Sequence, residues 1–252
     1  MTTTSLLEQG LQRIRLSSPV SKQEIKDILV EVVRRSGLRD AYVEAVITRG
    51  VPAAGERDPR RLTPRLYAYA IPYVWIVPRD KQDQGTAVVV TRGTQRIPPA
   101  SVDPTVKNFH WGDLVRGLFE AYERGAVLPV LPGAGGLVAE GPGFNVFALV
   151  DGVLRTPSGG VLEGITRRTV LELAAVQEIR AEAADLPVAS LYRATELFLT
   201  STAGGVMPVT TLDGQPVGDG RPGPVTTALR DAYWALHTDP RYTTEVDYPG
   251  VG

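Results

Sequence analysis

The clearest periodic stretch opens at Ser21, where SKQEIKDILVEVVRRSG sets Ile25, Ile28, Leu29, Val32 and Val33 along one stripe of a 3.6-residue repeat. Ser21 with Glu24 three residues later has the form of a capping box and Gly37 supplies a stop, so a helix is predicted over 21–36. The pattern then changes to the aromatic and β-branched content of strands at 41–49 and 66–77, with a third strand at 86–92. Between the first two, 50–64 is rich in proline and arginine and reads as a surface loop. Helical periodicity returns at 111–125 and 165–183, while 144–150 and 153–157 flank Asp151-Gly152 and predict a hairpin. Runs at 196–202 and 206–217, with Asp213-Gly214 as a turn, predict another pair of strands, and a helix near 223–236 follows. A joint in the proline-bearing stretch 99–104 divides the chain into a small α/β domain over 1–100 and a larger mixed domain over 101–252.

Composition narrows what such a protein does. With 252 residues and 43% hydrophobic content the chain buries a substantial core. Its 27 basic and 28 acidic residues nearly cancel, which leaves no electrostatic footprint for nucleic acid or an anionic membrane. There is no cysteine, so disulfides, thiolate metal sites and cysteine nucleophiles are excluded. His110 and His237 are the only histidines and lie far apart without a ligand pattern, so no metal site is expected. The opening MTTTSLLEQG has no leader pattern and no run is long enough to span a membrane; a cytoplasmic protein is expected.

Candidate chemistry clusters from Lys107 onward. Lys107 follows VDPTV, which reads as extended, and precedes NFHWGD, so its amine is expected among Val106, Phe109 and Trp111 just before a helix. Such enclosure favours a neutral amine able to attack an aldehyde. Glu140 stands in AEGPGFN (139–145), where Ala139, Gly141 and Gly143 let backbone approach a ligand and the carboxylate could pair with a protonated ring nitrogen. In LEGITRRT (162–169) the amides of Ile165 and Thr166 are helix-start donors suited to phosphate, although Thr166 as an ordinary helix cap explains the same letters. TSTAGGVMP (200–208) sets the hydroxyls of Ser201 and Thr202 beside two glycines, as a polar turn or as a second wall of an anion site. PGAGG (132–136) lacks the spacing of a dinucleotide fingerprint.

The order Lys107, Glu140, EGITRRT, STAGG resembles the fold type IV aminotransferases that use pyridoxal 5'-phosphate. The segments IPYVW (71–75), 103–121, AEGPGFN and 211–226 are similar to the (R)-selective amine transaminases in particular. The resemblance implies an α/β (α+β) fold with a partial N-terminal α/β domain and a C-terminal mixed-sheet, pseudo-barrel domain with helices. It implies that Lys107 joins the cofactor as a Schiff base, Glu140 bonds the pyridine nitrogen, and Leu162 packs on the ring. Ile165, Thr166 and Thr202 then hold the phosphate, and Tyr42, Trp111, Ser201 and Ala203 line the substrate pocket. The implied reaction is (R)-selective transamination of a primary amine to a ketone with a keto acid such as pyruvate as acceptor, in a homodimer. A D-amino acid or branched-chain amino acid aminotransferase, an aminodeoxychorismate-type lyase and a catalytically impaired remnant stay open.

Three departures accompany the resemblance. Trp111 stands near where branched-chain relatives place a tyrosine. Gly55 replaces a loop arginine that grips the acceptor carboxylate, with Arg57, Arg60 and Arg61 nearby. The chain also starts after the position where the family carries further N-terminal strands and a phosphate-clamping arginine, so weak cofactor binding is expected of it.

Overall fold

The computed structural model describes residues 3–248. The chain divides into two compact units, one running to Val74 and taking in the segment from Pro240, the other spanning Trp75–Asp239. The division thus falls earlier than the expected joint at 99–104. The strand at Thr86–Val90 explains the difference, because it pairs inside the sheet of the larger unit and carries its flanking residues with it.

In the smaller unit, helix α1 (Thr3–Arg13) precedes helix α2 (Lys22–Ser36). The start of α2 follows from its sequence. Ser21 Oγ accepts from the Glu24 amide at 3.2 Å and the Glu24 carboxylate accepts from the Ser21 amide at 2.7 Å, while Gly37 ends the helix at φ 69°. Strands β1 (Ala41–Thr48) and β2 (Arg65–Pro72) form an antiparallel pair in unbroken register from Ala41↔Pro72 to Thr48↔Arg65. Leu11, Leu16 and Ile25 are the buried apolar side chains of this unit among the described residues. The loop between the strands holds a short 3-10 turn at Pro59–Arg61 in which the Arg60 amide is capped by Asp58 Oδ1. In it Arg60 is paired with Asp58 at 2.6 Å and Arg61 with Glu56 at 3.4 Å, so two of the three arginines near Gly55 are already committed to carboxylates of their own loop.

The larger unit is built on a mixed eight-stranded sheet. In chain order its elements are α3 (Arg79–Gln82), β3 (Thr86–Val90), α4 (Gly112–Glu123), β4 (Leu128–Val130), β5 (Asn145–Val150), β6 (Val153–Pro157), α5 (Ile165–Val176), β7 (Ala181–Ala184), α6 (Val188–Leu191), β8 (Glu196–Ser201), β9 (Gly205–Leu212), β10 (Gln215–Pro216) and α7 (Pro224–Ala235). The strand order is β4-β3-β9-β8-β5-β6-β7, with β10 paired to β9. Both faces are covered, which accounts for the near-continuous apolar runs in β5 and β8. Val146, Ala148, Leu197 and Leu199 point into one cluster, while Phe147 and Phe198 between them stack at 4.9 Å in another formed with Val170, Ala174 and Leu229 of α5 and α7.

The predicted hairpin forms at Asp151 (φ 52°) and Gly152 (φ 73°), the left-handed pair a two-residue turn needs. Asp213-Gly214 also turns, but between β9 and β10; β8 and β9 are joined by residues 202–204. The helix predicted over 165–183 ends at Val176. Glu178 takes a left-handed conformation (φ 58°), and residues 181–184 leave to pair in parallel with β6.

Candidate active site

Glu140 is the centre of the arrangement. It follows β4 in a segment tied to Leu131 on both sides, Leu131 N donating to Glu140 O and Ala139 N to Leu131 O, each at 3.0 Å. Its side chain is only 8% exposed, yet both oxygens are engaged. Oε1 accepts from Arg96 Nε at 3.1 Å, and Oε2 accepts from the Leu162 amide at 2.9 Å and from Asn145 Nδ2 at 3.4 Å. Arg96 reaches on to Asp113 Oδ2 at 2.7 Å, and that oxygen also takes the Ile97 amide at 2.6 Å. Burial pushes the Glu140 carboxyl above the ordinary carboxylate range; the Leu162 amide and Arg96 pull it down without cancelling that effect. For Asp113 burial is outweighed by the Ile97 amide and Arg96, and its carboxyl is held below the usual value.

Asn145 bridges two of the predicted segments. Besides Glu140 it donates to Leu162 O at 2.8 Å, and Gly164 N donates to the same carbonyl at 2.8 Å. A Cβ at Gly164 would lie 2.4 Å from Asn145 Oδ1, so the glycine is what allows the chain to enter α5 at this point. Gly164 is also the N-cap of α5, and no side chain caps the helix. Thr166 is therefore not the cap: it is buried in the first turn with its hydroxyl 3.3 Å from Tyr233 OH. The start of α5 has the character of an anion site, with the Ile165 and Thr166 amides at its positive end.

The turn at 202–204 lies beside these segments in the ladder, since Asn145 pairs with Thr200 and Thr200 with Val206. Ser201 is buried and accepts from the Ala203 amide at 3.1 Å, Ala203 O takes the Ile76 amide at 2.9 Å, and Thr202 is exposed. Gln82 donates to Val77 O and Gly204 O, clamping the turn. Gly205 (φ 70°) lies so close to Tyr233 and Trp234 that a Cβ would meet both at 3.0 Å. Thr200 Oγ1 is buried without a hydrogen-bond partner among the described residues, the kind of group a ligand oxygen or a water satisfies.

Three expectations about local surroundings are corrected. The stretch before Lys107 is a turn, because Asp103 Oδ1 accepts from the Thr105 amide at 2.9 Å and Val106 N donates to Asp103 O. Lys107 is exposed, as are Phe109 and Trp111, so the lysine is not enclosed by them; Val106 alone is buried. The space over Gly141 is filled by the Phe144 ring and Pro129 O, so that glycine serves internal packing. Gly143 does face another segment, a Cβ there falling 3.7 Å from the Trp111 ring. Tyr42 belongs to the smaller unit, on β1, where it and Tyr69 donate to Glu44 Oε2 at 3.3 and 2.5 Å; burial, then the Glu44 charge, push its phenol up to about 12.

Sequence reasoning missed Arg96, Asp113 and Asn145. Asn145 lay inside a segment already singled out. Arg96 carried no signal, since an arginine reads as surface and its carboxylate partners lie 17 and 44 residues away.

A buried trio of one guanidinium and two carboxylates is one positive charge short of neutral, which suits a protonated ring nitrogen, and an uncapped helix start joined to it through Leu162 suits a phosphate. Lys107 lies on the segment leading to Asp113, with its amine exposed. Comparison of the whole chain with known proteins identifies its class. Residues 7–212 match the family described as amino-transferase class IV. A putative branched-chain-amino-acid aminotransferase of Methanocaldococcus jannaschii is 34% identical over 235 residues, covering 92% of this chain and 80% of that protein. The branched-chain-amino-acid aminotransferase of Salmonella typhimurium is 31% identical over 246 residues, 91% of this chain and 77% of that one. Among solved structures, the branched-chain amino acid aminotransferase from Thermobaculum terrenum in its PLP-bound holo form superposes with a TM-score of 0.83 at 29% identity, over 92% of this chain and 76% of that chain. That of Escherichia coli gives 0.84 at 28%, over 97% and 82%.

The chain belongs to the class IV aminotransferases, and its cofactor is pyridoxal 5'-phosphate. Among the described residues no helix is long and apolar enough to cross a membrane and no cluster of three or more histidine, aspartate or glutamate side chains could hold a metal ion.

Proposed function

We propose that the protein transfers the amino group of a donor with an apolar substituent to a keto acid, and that a branched-chain amino acid is that donor. The names of the curated relatives and solved structures support the donor class, and move it from the primary amines the sequence suggested. The observation that carries the chemistry is Glu140, a buried carboxylate whose hydrogen-bonded surroundings lack one positive charge. In this reading Glu140 keeps a ring nitrogen protonated, the start of α5 with Ile165, Thr166 and Thr202 takes the phosphate, and Leu162 packs on the ring. Lys107 Nζ holds the cofactor between turnovers and moves the proton at the reacting donor carbon. The cofactor, when bound, supplies the electron sink that makes that proton removable. Trp111, Ser201 and Ala203 are assigned to the substrate pocket, and a homodimer belongs to the same reading.

One observation favours a second donor class. Trp111, with its ring against Gly143, offers an indole near where branched-chain relatives carry a phenol, and in this it resembles the (R)-selective amine transaminases. A donor panel decides between them: L-valine, L-leucine and L-isoleucine, D-amino acids, and (R)-1-phenylethylamine, each with a keto acid. Turnover confined to the chiral amine sinks the branched-chain assignment and supports the second reading. Lys107→Ala is the control. Its exposed side chain predicts a melting transition shifted by less than about 0.5 kcal/mol of stability, with loss of the lysine-bound cofactor band and of turnover. Parental turnover in that variant would remove Lys107 from the site.

A further inference from the structure

The charged groups around Glu140 form a chain rather than a pair. Arg96 is held at its backbone by donation of its amide to Pro132 O at 2.8 Å, and its side chain, 7% exposed, forks between Glu140 Oε1 (Nε, 3.1 Å) and Asp113 Oδ2 (Nη1, 2.7 Å). Asp113 is fixed by the Ile97 amide and by donation of the Leu114 amide to its other oxygen at 2.9 Å, at the first turn of α4. The guanidinium therefore spans from the element that follows Lys107 to the segment that carries Glu140. Arg167 of α5 is a further buried charge, on which Glu140 acts through space. It hands Nε to Thr156 Oγ1 and Nη2 to Pro157 O, and makes no hydrogen bond to Glu140. Glu163, close to it in sequence, acts on Arg167.

We infer that Arg96, itself oriented by Asp113, is a positioning residue that fixes both the side-chain placement and the charge of Glu140. A planar fork with two fixed donors does this, whereas a point charge would hold only one carboxylate in place. The inference rests on the reading of Glu140 as partner of the ring nitrogen. It adds that this partner is set by residues that do not touch the cofactor. Arg96 draws Glu140 toward the anion, and Asp113 opposes it through space while steering Arg96. The two removals should thus move Glu140 in opposite directions, which a purely structural role for the trio would not produce.

The test uses the cofactor-free protein with its glutamates carboxyl-labelled with carbon-13, the Glu140 signal being assigned by its absence in Glu140→Gln. Titration is followed by NMR in the parent, Arg96→Met, Arg96→Lys and Asp113→Asn. Arg96→Met is expected to raise the proton affinity of Glu140 at least about tenfold, an opposite charge at this range being worth about one to three pH units. Asp113→Asn is expected to lower it, and Arg96→Lys to restore most of the charge effect. In the loaded protein Arg96→Met is expected to lower kcat more than it raises KM, with Arg96→Lys only partly rescuing it because the fork is lost. If Arg96→Met does not fold, Asp113→Asn and Arg96→Lys carry the same comparison. Midpoints that coincide with the parent, or that move the same way in Arg96→Met and Asp113→Asn, overturn the inference. The ring assignment is decided separately, by whether Glu140→Gln changes the absorption of the bound cofactor.

Discussion

Glu140 is burdened by its own site. Burial raises its carboxyl above the range of an exposed glutamate, so the folded cofactor-free protein binds a proton there more tightly than the unfolded chain does. The sign of the consequence follows. The stabilising contribution is full below the ordinary glutamate value and is lost as pH rises through the raised one. Denaturant unfolding of the cofactor-free protein across that window should show stability falling with pH relative to Glu140→Gln, which has no such proton. Asp113 contributes with the opposite sign at lower pH, because its folded-state value is depressed, and it is common to both proteins. If a protonated ring nitrogen partners Glu140 as proposed, the difference should shrink once cofactor is bound. A parent and variant whose stabilities run parallel with pH would show that Glu140 is ionised in the empty site and that burial does not govern it.

At the scale of elements, the larger unit joins sheet to helix through one carboxylate. Glu196, buried at the start of β8, accepts from the Val225 amide at 3.1 Å and from the Thr226 amide and hydroxyl at 2.7 Å each, capping α7 from a neighbouring strand. Gly223 makes room for it, since a Cβ there would fall 2.1 Å from the Glu196 carboxyl carbon. Glu196→Ala should cost about 1–3 kcal/mol, a lost cap and unsatisfied buried donors together, measured as a fall in the urea midpoint at unchanged slope. A change below about 0.5 kcal/mol would mean that water replaces the carboxylate. This cap was not legible in the sequence, because its partners are about thirty residues apart. Legibility followed range throughout. The capping box at Ser21 and the Asp151-Gly152 turn are complete within a few letters, and both formed as predicted. The end of α5 depended on β7 finding β6, and the division of the chain depended on β3 finding β9 and β4, so both were misplaced. At the site the same rule separates Glu140 and Gly164, found within short motifs, from Arg96, whose role exists only once the loop after β3 meets the segment after β4.

For the whole molecule, α4 raises the question of what covers its outer face. Its inner side is packed: Leu114, Gly117 and Ala121 are buried, and a Cβ at Gly117 would come within 2.8 Å of the Leu131 side chain. The outer side carries an apolar stripe beside the exposed Arg116 and Glu123, with Val115, Phe119 and Tyr122 at spacings of four and three residues and exposed to 40%, 62% and 59%. A helix on the surface of a monomer carries polar residues outward. A stripe of this kind suits a self-complementary interface, in which α4 of one copy packs on α4 of a second about a two-fold axis. The expected outcome is a homodimer in sedimentation velocity at micromolar protein. Phe119→Glu places a charge in the middle of the stripe and should weaken association at least about thirtyfold, the effect of losing roughly 2 kcal/mol at a central aromatic. Circular dichroism checks that the variant keeps its helices, as it should with the buried side of α4 untouched. A parent that sediments as a monomer at every concentration would dismiss the dimer. A Phe119→Glu protein that stays dimeric would move the interface elsewhere and leave the α4 stripe as surface.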